Sequence, residues 1–514
     1  MAIAGKCVLI NLFCTISAMT YLPFSINGPT SYDEKIVIVG AGASGLHMAL
    51  SLKERGFKNV VILEKTKWLG GKSWTVQHRG VGHEMGAVYL SPDYEDNVIP
   101  LVRKYTPGDL VKLPISGIWL DNMSRQIPYD QYVILYAMKY FKTTNVTLAK
   151  MGLVKAIIKY MKLHETIFGN YTGDLMPEPT PCVLHQTRGT FLDFLKRHNL
   201  EVMSPILYGA SSVQGYGRIN EIACLYGMMW NTPNFMRSLL SRISGQVTNR
   251  TGLYMLRNGF GNLWKTIVRE EKLKIIFNVD IFKVYRTKHN NYKDVWIKLR
   301  VGRNSPSWER YDFLIWSPEM KTSMKYWSNK EIYDEQFYFS RTKPTYFTTA
   351  LVDTEGTQRG LSAVDYWFDN IINSTRDSSL WALRDTYAAL HGFEGENYTK
   401  GLFPSGNDGK PIRSTVTYQM SSREPYFYEL QNILRNSLKK IGANRVDILY
   451  MKVWRYFPRF SPADMEKGYL WKVLEMQGKY GIWYIGSSVS FESVKSVIEY
   501  NKLLLKNMKI PIKK

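Results

Sequence analysis

The sequence predicts an α/β fold: a parallel dinucleotide-binding sheet with helices, interrupted by a mixed α+β substrate domain. Three observations point there. Residues 36–45 read Ile-Val-Ile-Val-Gly-Ala-Gly-Ala-Ser-Gly, a buried-strand pattern that ends in a glycine turn. A second apolar run closes on Glu64, near the distance from Gly45 at which such units place an acid. Alternation of helix and strand then returns over 252–320 and again over 447–510, with different patterns between.

The first unit can be read residue by residue. Gly40 allows the tight turn, Gly42 lets the backbone approach a pyrophosphate, and Gly45 lets the helix pack on the strand. Ala41, Ala43 and Ser44 complete the turn, so phosphates would meet free N–H groups at a helix N-terminus. The helix continues from Leu46 to Lys53, and Asn59 to Leu63 reads as the second strand. Glu64 is placed to accept from a ribose hydroxyl, with Lys65 beside it as a further cofactor-binding candidate. A lone glycine fingerprint is weak evidence. Strand, turn, helix, strand and acid in that order make a Rossmann-type unit.

From about 106 to 250 the pattern turns helical. Val133, Leu135, Met138 and Phe141 form one group; Val154, Ile157, Ile158 and Met161 form another, with Lys155, Lys159 and Lys162 near the polar side. The second group reads as an amphipathic domain helix, of a kind that can also rest on a membrane or cover a substrate mouth. Further on, Gly259-Phe260-Gly261 precedes a helix at Leu263–Glu270. Lys274–Phe277, Ile281–Tyr285, Val295–Val301 and Phe313–Trp316 read as strands. Residues 340–430 are mixed, with a strand at Thr345–Val352 and a Gly/Pro-rich loop at Phe403–Pro411. The tail gives a strand at Ile482–Ile485, then Gly486 and a helix at about Phe491–Lys506. This order predicts a nucleotide domain in three parts (31–105, 251–339, 436–514) and a substrate domain inserted twice (106–250, 340–435).

At 514 residues the chain exceeds one simple core, in keeping with two joined domains. Its 34 Tyr and 14 Trp suit a large core or an aromatic-lined pocket. A net charge of +23 can attract polyanions, anionic surfaces or acidic substrates. The basic residues are dispersed and no nucleic-acid module shows, so nucleic acid is not expected as a partner. Lys6, the apolar run Val8–Ile16, and Ser17 with Ala18 read as a signal peptide over 1–18, implying a secreted or lumenal protein. Sequons at Asn122, Asn145, Asn170, Asn249, Asn373 and Asn397 make glycosylation plausible in that setting. Cys182 and Cys224 would remain after cleavage, either bonded or as two buried thiols. No metal-ligand spacing appears, so no metal is expected.

Four further segments resemble the flavin amine oxidase superfamily. Leu69-Gly70-Gly71-Lys72-Ser73-Trp74-Thr75 resembles its second glycine motif. His83-Glu84-Met85-Gly86-Ala87-Val88-Tyr89-Leu90 resembles the segment that runs beside the isoalloxazine ring. Phe277-Asn278-Val279-Asp280 resembles the strand whose valine, here Val279, meets the adenine. Trp483-Tyr484-Ile485-Gly486-Ser487 and the following helix resemble the segment that aims a helix N-terminus at the flavin. The resemblance implies FAD. It places Gly70, Gly71, Lys72, Ser73, Met85, Gly86, Ala87, Val279, Gly486, Ser487, Phe491, Glu492 and Val494 at the cofactor. The family's second Arg is Lys72 here, and its Ala-Gly-Glu reads Ile485-Gly486-Ser487. No Cys lies near Ser487, so the expected FAD is non-covalent.

The tail is closer to one branch. Trp454-Arg455-Tyr456-Phe457-Pro458-Arg459, Met476-Gln477-Gly478, Ser490-Phe491-Glu492-Ser493-Val494 and Tyr500-Asn501 resemble polyenoic fatty acid isomerases and related FAD-dependent oxidoreductases. Gly215-Tyr216-Gly217 with Glu221-Ile222 does so too. The expected activity is hydride transfer from a substrate C–H to flavin N5 with reoxidation by oxygen, on an amine or amino acid. The alternatives are a double-bond isomerase or desaturase of polyunsaturated lipids, and a non-catalytic binding protein that keeps the fold. Lys343 matches the position of the flavin-contacting lysine of amine oxidases, Arg218 is a candidate for a substrate carboxylate, and Tyr456 for the pocket wall.

Overall fold

The computed structural model describes residues 25–112, 116–120, 125–169, 178–243, 253–286, 294–327, 333–356, 363–372, 377–391, 403–404 and 411–509. The expected signal segment, and the sequons at Asn122, Asn170, Asn249, Asn373 and Asn397, lie outside these residues. So does most of the loop expected at Phe403–Pro411.

The nucleotide half is a five-stranded parallel sheet. Its order is Ile482–Tyr484, Phe313–Trp316, Lys35–Val39, Asn59–Leu63, Ile275–Ile276. Ile36, Val37 and Ile38 in the central strand are fully buried, as expected for a parallel strand covered on both faces. The helix Ala43–Glu54 returns the chain between the first two strands and packs on the C-terminal helix Val494–Asn507. A Cβ at Gly45 would overlap the carbonyl oxygen of Gly40, so that helix approaches the turn only because position 45 has no side chain. A separate three-stranded antiparallel sheet holds Val279–Arg286, Val295–Val301 and Ser307–Tyr311.

The other half is built on a large mixed sheet. Its order is Arg445–Arg459, Lys343–Glu355, Pro411–Ser421, Leu380–Asp385, Val364–Tyr366, Ser116–Leu120, Arg125–Pro128. Here the structure corrects the reading of 106–250 as helical. Leu110–Lys112, Ser116–Leu120 and Arg125–Pro128 are strands. They are too short for periodicity to show; the first two are held by long-range pairing, as between Gly117 and Asp365, and the third pairs with the second.

The expected helices follow as Tyr129–Tyr140 and Val146–Phe168. In the longer one the buried stripe is Ala149, Leu153, Ile157, Tyr160 and His164, rotated from the predicted Val154, Ile157, Ile158, Met161. Ile158 is 38 % exposed, with Leu148 and Met151 also facing solvent. Alanines at 149 and 156 admit close packing, so the core face follows small side chains as well as large ones. Cys182 and Cys224 are both free, which removes the disulfide alternative. Cys224 Sγ faces Met228 Sδ at 3.6 Å, while Cys182 sits on another helix beside Gln186.

Three imidazoles are locked into the core. Burial, aided by the Lys502 charge, lowers His47 to about 3. Burial likewise lowers His83 and His164 to about 4. Each takes up its proton near 6.5 in the unfolded chain and only at the lower value when folded, so acid favours unfolding across that window. Glu84 opposes them: burial raises it from 4.5 to about 7, which favours the folded state as pH falls through that range. Three groups outweigh one. The melting temperature is expected to drop between pH 6.5 and pH 4, with a shallower slope in His47→Asn. A flat profile for the native protein over that range would contradict this account.

Candidate cofactor and substrate cavities

The glycine turn forms one wall of a cavity of about 720 Å³. Gly40, Gly42, Ala43 and Ser44 line it from the strand end and the helix start. The helix Ala43–Glu54 has no side-chain cap and no acid in its first turn, so its N–H groups are left for a ligand. Glu64 stands opposite. Its Oε2 accepts from Ala41 N at 2.8 Å, and its Oε1 accepts from Thr66 N at 2.9 Å. Val279 N donates to the main-chain oxygen of Glu64 at 2.9 Å, which seats the three-stranded sheet against this end.

The second glycine segment closes over the first. Gly70 N donates to Ala41 O at 2.7 Å, and Gly70, Gly71, Lys72 and Ser73 line the same cavity. The segment 85–87 then docks on Lys72. Ala87 N donates to Lys72 O at 2.9 Å, and a Cβ at Gly86 would overlap that oxygen. Met85 is buried; its carbonyl accepts from Thr349 Oγ1 at 2.9 Å and from Trp454 Nε1 at 2.8 Å. Gly486 and Ser487 line the far side.

Lys72 also makes the charge pair of the site. Its Nζ lies 2.7 Å from Glu492 Oε2 and 5.2 Å from the centre of the Tyr456 ring. Glu492 Oε2 accepts in addition from Phe457 N at 2.7 Å.

A second, more apolar cavity meets the first here. Ala87, Tyr456, Glu492, Ser493 and Val494 line both. Ser493 caps the C-terminal helix by accepting from Ser496 N, which brings the start of that helix to the junction. Tyr216 lies nearly parallel to Tyr456, with ring centres 6.1 Å apart, and Phe347 lies 5.1 Å from Tyr456 on another side. The rest of the wall is mostly aromatic, aliphatic or small, with Tyr418, Tyr366, Trp230, Ile206, Leu239 and Gly209 among its members. Among the described residues its one charged member is Glu492, which Lys72 neutralises.

Several candidates stand apart from both cavities. Lys65 is exposed and lines neither. Lys343 is exposed at the start of its strand, paired with Arg459, and lines neither. Arg218 turns away, with its guanidinium 5.5 Å from the Trp381 ring and 3.5 Å from Glu221. Strand pairing and these contacts hold both cations outside the substrate wall. Ala41, Gly45 and Val279 support the dinucleotide cavity from behind it, and Phe491 stacks on Trp230 beneath the junction. Tyr89 falls in the segment 83–90 expected beside the flavin, while Tyr418, Phe347 and Trp230 were not foreseen. The only sign of them was the high aromatic content, since a strand such as Pro411–Ser421 is buried on both faces and hides its alternation.

Comparison with known proteins agrees with this architecture. Residues 38–105 match the NAD(P)-binding Rossmann-like domain. A polyenoic fatty acid isomerase of Ptilota filicina is 22% identical, over 93% of this chain and 95% of its own. A putrescine oxidase of Kocuria rosea is 26% identical over 25% of this chain and 28% of its own. Among solved structures, a CLA-producing fatty acid isomerase from P. acnes superposes with a TM-score of 0.68 at 19% identity, over 94% of this chain and all of the other. A putrescine oxidase bound to putrescine superposes with a TM-score of 0.60 at 14% identity, over 92% and 98%. The chain therefore has the flavin amine oxidase-like fold, built on an NAD(P)-binding Rossmann-like domain, and its relatives and structural neighbours are FAD-dependent oxidoreductases.

Proposed function

We propose that this protein is an FAD-dependent enzyme that shifts a double bond in an unsaturated lipid chain. One observation carries this reading over the amine or amino-acid oxidase expected first. Among the described residues the substrate cavity presents no unpaired carboxylate for an ammonium group and no cation in its lining for a carboxylate. A charged amine there would lose its hydration without gaining a partner. An acyl chain would meet what the wall offers: Tyr216, Tyr456, Phe347 and Trp230 faces. The whole-length relatedness to a fatty acid isomerase supports the same choice.

The residues present fit FAD. The uncapped helix N-terminus and the glycine turn suit a pyrophosphate, and Glu64 at the end of the second strand suits a ribose. When bound, FAD supplies a hydride acceptor that can return the hydride, so an isomerisation needs no outside oxidant. The chain's own residues do the rest. Tyr456 and Phe347 hold the apolar chain at the junction, the aromatic wall excludes water, and Lys72 with Glu492 keeps the junction neutral. Non-covalent attachment belongs to this reading, because both cysteines among the described residues line neither cavity.

A secreted or lumenal setting is part of the proposal, supported by the signal-like start of the chain and by the exposed sequon Asn145. So is peripheral contact with anionic surfaces. From Gln131 to His164 the chain has lysines at 139, 142, 150, 155, 159 and 162 and no Asp or Glu. Phe141, Leu148 and Met151 are exposed among them.

Four outcomes are expected. Purified protein is yellow and releases its flavin on denaturation; a colourless preparation would favour the non-catalytic binding protein. Mixing with polyunsaturated fatty acids in air-saturated buffer produces new ultraviolet absorption from conjugated double bonds without oxygen uptake, whereas peroxide release with amines would return the oxidase reading. Gly45→Val, which forces a side chain into the Gly40 carbonyl, costs about 1–3 kcal/mol and weakens flavin retention roughly tenfold or more. Anionic vesicles retain the protein at low salt and neutral vesicles do not. Binding that ignores lipid charge and salt would rule the basic hairpin out.

A further inference from the structure

Three arginines are buried among the described residues: Arg286, Arg384 and Arg413. Two of them have a carboxylate. Arg286 pairs with Glu335 at 2.8 Å, and Arg413 pairs with Asp385. Arg384 differs. Its Nη1 donates to the Tyr418 hydroxyl, its Nη2 donates to the Glu84 main-chain oxygen at 2.8 Å, and its Nε has no partner. No carboxylate among the described residues forms an ion pair with it. Glu84 is nearby but gives its two oxygens to Phe260 N and Thr75 Oγ1. Asp385 is the next residue along the strand, so its side chain projects from the opposite face, where it holds Arg413.

Arg384 feels the buried Glu84 carboxylate without touching its oxygens, so its charge has a neighbour but no ion pair, a costly arrangement for a buried cation. The position of Arg384 gives it a use. It shares a strand face with Ala382, which lines the substrate cavity, and its cross-strand neighbour Val364 lines it too. Tyr418 and Tyr89 stand between Arg384 and the cavity, and both line its wall. The Tyr418 oxygen accepts from Arg384, so its own O–H is free to donate into the cavity. Phe347 lies nearly parallel to the Tyr418 ring at 5.6 Å and fixes its aim.

We propose that the substrate brings a carboxylate that accepts from the Tyr418 and Tyr89 hydroxyls, with Arg384 directly behind them as a positioning residue that has no ion pair of its own among the described residues. The inference rests on the reading of this cavity as a lipid site and narrows it to free long-chain carboxylic acids over their esters. It also explains why no cation reaches the lining. The positive charge is set one layer back, where phenols pass on its field and the wall stays compatible with an acyl chain.

The test uses the flavin-loaded protein and equilibrium binding of a saturated long-chain fatty acid and its methyl ester, followed by the shift in the visible flavin spectrum. A saturated ligand separates binding from turnover. The acid is expected to bind the native protein about tenfold or more tightly than the ester. Tyr418→Phe, which removes one oxygen and keeps the ring, narrows that ratio to roughly threefold or less. Arg384→Met abolishes it and Arg384→Lys keeps part of it. Equal binding of acid and ester by the native protein, or an unchanged ratio in Tyr418→Phe, overturns the proposal. Should Arg384→Met fail to fold, Tyr418→Phe decides alone. A preference for the acid without any double-bond shift would retain the carboxylate site and remove the isomerase reading. Double-bond shift with no acid preference would do the reverse.

Discussion

Lys72 is the residue on which the two halves of this molecule turn. Its carbonyl oxygen receives Ala87 N and fills the space that a side chain at Gly86 would take. Its ammonium group receives Glu492 from the start of the C-terminal helix, and Glu492 in turn receives Phe457 N from the end of the long strand Arg445–Arg459. One residue thus ties together the second glycine segment, the segment 85–87, the substrate sheet and the last helix. Where the related motif has an arginine, the lysine offers a compact charge with three donors. That suits a crowded position where both Glu492 oxygens lie within 2.9 Å of the same nitrogen.

The charges around the cavities are arranged by depth. The junction carries a balanced pair in Lys72 and Glu492. Among the described residues the substrate wall carries none beyond it, and Arg384, which has no ion pair, is held behind two phenols. The dinucleotide end is different: it offers the N–H groups and dipole of an uncapped helix start, with Lys72, Lys452 and Arg455 also in the lining, all of which favour anions.

The nucleotide half was legible because its constraints are local. The strand Phe313–Trp316 falls where its apolar run places it, since a strand covered on both faces must be apolar throughout, and Val295–Val301 falls where its alternation does, with Trp296 exposed between buried Val295 and Ile297. In the glycine turn, Gly45 answers to the Gly40 carbonyl five residues away. The substrate half was harder. Ser116–Leu120 is a strand because Val364–Tyr366 lies beside it, and nothing within those five residues says so. Lys343 and Arg218 were chosen for their charge and their neighbourhood in sequence, yet strand pairing and the Trp381 stack hold them away from the cavities. Tyr456 was chosen from a segment resemblance, and it lies at the junction of both cavities. Arg384 carries no sequence signal, because what marks it is a charge without an ion pair, and that is a property of the packed interior.

The junction also sets the order in which the site is completed. Its wall comes from residues 87, 456 and 492–494, while the phosphate turn is complete by residue 45. The glycine turn can form from a short stretch of chain, but it gains Glu492 and Val494 only when the last helix has packed on Ala43–Glu54. That packing is itself specific: Asn501 Nδ2 donates to Ser44 O at 2.8 Å, inside the first turn of the phosphate-facing helix. A dinucleotide that binds the turn therefore favours the docked C-terminal helix, and the docked helix completes the dinucleotide site. Cofactor binding in this fold stabilises a whole-chain arrangement rather than one domain. The substrate cavity, which borrows its floor from the same residues, then exists in finished form only in the protein that can use it.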